Sequence, residues 1–141
     1  MAHELILVVE DNRTSANLTR AILLGAGFLV MEAVSGEEAM DLLASDTRLP
    51  DLIVLDLNLP GMPGLDFARK VRSVGCLIPI IAHTGYTKRD WKFPEMAHQA
   101  GCNGFVEKTG DIDILPRVIE SYLESAAKAR ALLPENWKRA E

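Results

Sequence analysis

Five short apolar runs, each closed by a polar or charged residue, alternate in this chain with longer amphipathic stretches. The runs are LILVV (5–9), FLVMEAV (28–34), LIVLD (52–56), IPIIAHT (78–84) and GFVEK (104–108). Continuous apolar runs of this length are the mark of strands covered on both faces, and their alternation with helical stretches places them in a parallel sheet. The expected fold is therefore α/β, a doubly wound five-stranded parallel sheet with helices on both faces. FLVMEAV is less uniformly apolar and belongs nearer an edge.

The intervening stretches carry helical spacing. A first helix is expected from about Thr14 to Leu24, where Leu18, Ala21 and Ile22 share a face and GAG (25–27) supplies the stop. SGEEAMDLL follows, with Ser35 and Glu38 at capping-box spacing. A third helix covers 64–72, with Leu65, Ala68 and either Val71 or Arg72 at helical spacing, and a short fourth begins around Pro94. From about Ile112 the residues Leu115, Val118, Ile119, Tyr122, Leu123 and Ala126 form the inward stripe of a last helix. Pro134 is expected to end it, so that residues 1–127 make one domain and 128–141 are the end of the helix and a polar tail.

At 141 residues, 48% of them hydrophobic, the chain has one core and no room for a second domain. A net charge of -5 argues against binding to nucleic acid, and no apolar run approaches membrane-spanning length, so a cytoplasmic protein is expected. Cys76 and Cys102 are too few for a disulfide framework and lack zinc-site spacing; both read as small buried apolar residues. The three histidines form no local ligand pattern. GAGF (25–28) lies at a helix exit and lacks the third glycine of a dinucleotide fingerprint.

Open parallel sheets bind ligands beyond the carboxyl ends of their strands, where the strand order reverses. Those ends deliver Glu10 and Asp11, then Asp56, Thr84 and Lys108. With strand order 2-1-3-4-5 the first and third strands are neighbours, and three carboxylates converge. Crowded carboxylates repel unless a cation offsets the field. Magnesium suits such a set, since it needs only one or two carboxylates besides waters and a carbonyl. Asp11 and Asp56 are the expected side-chain ligands, with Glu10 beside them and Asn58 offering its main chain. Lys108 adds a positive charge fitted to a phosphoryl group, Thr84 adds a hydroxyl donor, and Asp56 is placed to attack phosphorus and carry the group as an acyl phosphate.

In order and spacing, LVVEDN, LIVLDLNLPGMPGL, IAHTG and GFVEK resemble the receiver domain of bacterial two-component response regulators, up to about residue 127. The resemblance implies a flavodoxin-like fold and a stand-alone signalling module. It implies that a histidine kinase or histidine phosphotransfer protein phosphorylates Asp56 with Mg2+, and that no enzyme activity exists beyond this self-catalysed transfer and autodephosphorylation. It further implies a switch in which Thr84 turns to the phosphoryl group and the Phe105 ring moves inward. The face of the fourth helix, fifth strand and fifth helix then meets an unknown downstream protein or a second copy of the chain. Three departures from the family pattern stand out. Thr109 replaces a proline, the loop after Thr84 is longer and holds Tyr86 and Trp91, and Phe105 lacks a hydroxyl. Tyr86 and Asn58 are expected to set phosphoryl lifetime. Trp91 and Trp137 read equally as interface anchors or as packing onto the domain. Two competing readings are an aspartyl-phosphate phosphohydrolase of the haloacid-dehalogenase kind, which wants an aspartate where Asn58 stands, and a receiver whose switch is frozen.

Overall fold

The five apolar runs form five parallel strands of one sheet. A computed structural model describes residues 3–45, 48–85, 92–108 and 111–132. Its elements are β1 (Leu5–Val9), α1 (Arg13–Gly25), β2 (Leu29–Ala33), α2 (Gly36–Ala44), β3 (Leu52–Leu55), α3 (Gly64–Ser73), β4 (Ile80–Thr84), α4 (Phe93–Ala100), β5 (Gly104–Glu107) and α5 (Ile114–Ala131). The strand order is β2-β1-β3-β4-β5, as expected, and it puts the more polar β2 at an edge.

Side chains alternate across the sheet, so each apolar strand feeds two cores. Leu7, Val9, Ile53, Leu55, Ile80 and Ala82 pack with Phe67, Ala68 and Val71 of α3 and Ala97 of α4. On the other face Ile6, Val8, Leu52, Val54, Ile81 and Val106 pack with Leu23 of α1 and Leu115 and Ile119 of α5. Among the described residues no helix is long and apolar enough to cross a membrane.

Local chemistry sets the helix ends. The Asn12 side chain accepts from the Ser15 N–H at 2.9 Å and starts α1 one residue earlier than expected. Ser35 Oγ accepts from the Glu38 N–H at 3.1 Å, as its spacing suggested. Gly27, with φ 95, completes the expected stop after α1. Pro94 falls in the first turn of α4.

The structure corrects several packing expectations. In α1 the buried residues are Ala16, Thr19 and Leu23, whereas Leu18 is 58% exposed and Ala21 is also exposed. Small side chains let α1 lie close to the sheet, and this outweighs the stronger hydrophobicity of the opposite face. Ile112 is exposed ahead of α5, and Ala126 lies outside its buried stripe. Cys102 is buried but Cys76 only partly so. The choice between Val71 and Arg72 resolves into two roles. Val71 enters the core, while the Arg72 guanidinium donates to the carbonyls of Gly101, Cys76 and Ile78 and to Asn103 Oδ1, tying α3 to the starts of β4 and β5. Tyr86, Trp91, Thr109, Pro134 and Trp137 lie outside the described residues.

Candidate functional site

The acidic residues are mounted by the sheet itself. Glu10 is the first residue beyond β1 and donates its N–H to the Ala33 carbonyl at 3.0 Å; Asp56, the first beyond β3, donates to the Val9 carbonyl at 3.0 Å. Each therefore continues the ladder for one more bond, which makes its backbone as rigid as the strand behind it. Carboxylate oxygens of Glu10, Asp11 and Asp56 lie within 4.8 Å of one another, with Glu10 and Asp56 buried and Asp11 exposed. An all-oxygen donor set reachable from solvent fits a hard divalent cation that retains waters.

Lys108 reaches in from the exit of β5. Its Nζ donates to Glu10 Oε1 and, at 3.1 Å, to Asp56 Oδ2, while its backbone N–H donates to the Thr84 carbonyl at 2.8 Å. The Asn58 N–H donates to Asp56 Oδ1 at 3.0 Å. Thr84 is buried at the end of β4 and, with Gly85 and Phe93, lines the same open depression of about 770 Å³ as Asp11, Asp56, Asn58 and Lys108. Phe105 is half-buried on β5 opposite Ala82 and packs against the α3 and α4 side of the sheet.

The two buried carboxyls titrate as a pair. Burial pushes Asp56 above the usual carboxylate range and the hydrogen bond with Glu10 pushes it further, against the Asn58 N–H and Lys108. Burial also pushes Glu10 up, but hydrogen bonds with Asp56, Lys108 and Ser15 outweigh it and hold Glu10 well below that range. Burial works against the Lys108 ammonium, and its bonds to Glu10 and Asp56 more than offset this. Among the described residues the site therefore holds one lysine charge beside three carboxylates, a balance that a bound cation would offset.

Asn12, Thr14, Ser15, Leu18, Leu57 and Phe93 complete the lining and were not singled out from the sequence as site residues. Ser15 had one available signal, its place in the first turn of a helix that starts just after the acidic pair. His83 is a second residue whose place only the structure reveals. Burial first, then Lys108, lower its pKa to about 4, with Glu10 opposing. A folded-state value below the ordinary 6.5 means that the unfolded chain binds the extra proton more readily. This contribution to stability is complete above about pH 6.5 and is lost as pH falls toward 4. Acid unfolding of wild type and His83→Leu should accordingly diverge below pH 6.5, the variant gaining up to about 3 kcal/mol relative to wild type.

The site and fold agree with relationships found by comparison. The model of the response regulator receiver domain family matches residues 6–120. The polar-differentiation response regulator DivK of Brucella ovis is 31% identical over 123 residues, 86% of this chain and 97% of its own. A putative response regulator from Chloroflexus aurantiacus superposes with a TM-score of 0.79 at 29% identity, covering 87% of this chain and 99% of its own. The response regulator TrrA of Thermotoga maritima, solved in complex with Mg2+ and BeF, gives 0.73 at 27% identity, covering 84% and 97%. With its acidic pocket at the β1 and β3 ends and this match over most of its length, the chain belongs to the response regulator receiver domain family.

Proposed function

We propose that the chain is a receiver that takes a phosphoryl group from a histidine kinase or a histidine phosphotransfer protein onto Asp56. The observation that carries this reading is the convergence of Glu10, Asp11 and Asp56 within 4.8 Å, with Lys108 bonded to two of them. Asp56 is the nucleophile, since it is the carboxylate that both the Asn58 N–H and Lys108 orient. Lys108 stabilises negative charge on the transferring oxygens, and Thr84 is the hydroxyl that turns to the phosphoryl group. Glu10, Asp11 and Asp56, with the Asn58 main chain, would hold Mg2+, which when bound supplies charge neutralisation at the phosphoryl oxygens.

The readout we propose is a repacking of Phe105 on the α4–β5–α5 face, for a downstream protein or a second copy of the chain. Leu18, 58% exposed in the lining of the depression, offers the donor an apolar rim. Asn58 and Tyr86 are proposed to tune the lifetime of the phosphoryl group. Asn58 is no general acid, so multiple-turnover phosphohydrolysis is not supported. Incubation with acetyl phosphate and Mg2+ should give one stoichiometric phosphoprotein, and Asp56→Asn should lose the label by at least about a hundredfold. An equally labelled Asp56→Asn would overturn the assignment.

A further inference from the structure

The phosphoacceptor depression has a smaller neighbour, a cavity of about 170 Å³. Ser15, Leu18 and Lys108 line both, so the lysine is part of the wall between them. The smaller cavity lies between α1, the ends of β4 and β5 and the start of α5, with Ile22, Val106, Ile112 and Leu115 as its apolar surface. His83 lines it too. In the β4–β5 register His83 pairs with Val106, two residues before Lys108, so its ring shares the Val106 side of the sheet.

Among the described residues, the charged groups around His83 come from few elements. From the exit of β5 comes Lys108 and from the turn before α5 comes Asp111, while the side chain of Glu107, which pairs with Thr84, alternates to the other face of the sheet. From α1 come only the hydroxyls of Ser15 and Thr19, and from the end of β1 the field of Glu10, which Lys108 holds. An imidazole is the side chain whose charge changes most readily near neutral pH. This one is half-buried in the wall of the cavity that Lys108 also lines, in the field of an ammonium that donates to Asp56.

We propose that His83 is a positioning residue for Lys108. Uncharged, the ring leaves the ammonium directed across the wall to Glu10 and Asp56. Protonated, it opposes the ammonium, and added negative charge at Asp56 relieves that opposition. Protonation of His83 and negative charge at Asp56 therefore favour each other, a coupling that is reciprocal by linkage. The His83–Lys108 coupling needs only the ion cluster seen here; its extension to phosphorylation rests on the function proposed above.

The test is an NMR titration of the His83 ring in the full chain. Lys108→Met should raise the proton affinity of His83 by about threefold or more over wild type. In wild type, Mg2+ with beryllofluoride should raise it similarly over Mg2+ alone. Lys108→Gln replaces the methionine variant if that does not fold. An unchanged His83 midpoint without the lysine overturns the proposal, as does bound beryllofluoride with no shift in His83. Absence of any bound-fluoride signal counts against the phosphoacceptor reading instead, and the lysine variant then decides the coupling alone. A ring that merely fills space would show the same midpoint in every sample.

Discussion

Lys108→Met is expected to cost about 3 kcal/mol of folding stability in the absence of divalent cations and to slow phosphorylation by at least about a hundredfold. Lys108 donates to both buried carboxylates, and its removal takes from Glu10 and Asp56, 4% and 7% exposed, the one counter-charge they have among the described residues. The pair then relieves its repulsion by holding a proton, which takes away the nucleophilic form of Asp56. Urea unfolding with and without Mg2+ separates the effects, because a bound cation restores stability but not the lysine's contact with the transferring oxygens. A variant as stable as wild type without Mg2+, and phosphorylated at the same rate, would contradict this picture of the site.

Gly64→Ala is the second large effect. A Cβ on Gly64 would stand 2.5 Å from the Asp56 carbonyl oxygen and 2.6 Å from the Leu57 Cα, both backbone atoms that no rotamer change can move. The first turn of α3 lies directly on the segment that presents Asp56, and only hydrogen fits between them. The substitution should therefore cost about 3 kcal/mol and displace the phosphoacceptor. A displacement of about 1 Å is enough to slow the reaction a hundredfold. Denaturant unfolding and acetyl phosphate labelling read the two consequences separately. Wild-type values in both would mean that the α3 contact is looser than the structure shows.

Much of the site was legible because strand ends are legible. A continuous apolar run announces a strand buried on both faces, and the parallel α/β arrangement then says which end faces a ligand. Glu10, Asp11, Asp56, Thr84 and Lys108 could all be placed from those two steps, and the structure brings all five into one pocket region. Residues whose role depends on how elements pack were not legible. Hydrophobicity in α1 points to Leu18, yet the fold buries Ala16 and Thr19, because close helix–sheet packing favours small side chains. Gly64 shows its requirement only when α3 is laid on the β3 exit, and His83 meets Lys108 only through the β4–β5 register. Arg72 looks like a member of an apolar stripe until its carbonyl partners, up to 29 residues away, are in place.

The central claim is that carboxylates from the ends of two adjacent strands make one divalent-cation site around the phosphoacceptor. Calorimetric titration with Mg2+ tests it most directly. The account predicts one ion per chain, weaker binding as pH falls and the raised Asp56 carboxyl takes up its proton, and loss of binding in Asp11→Asn. No heat of Mg2+ binding to wild type, or undiminished binding in Asp11→Asn, would contradict it.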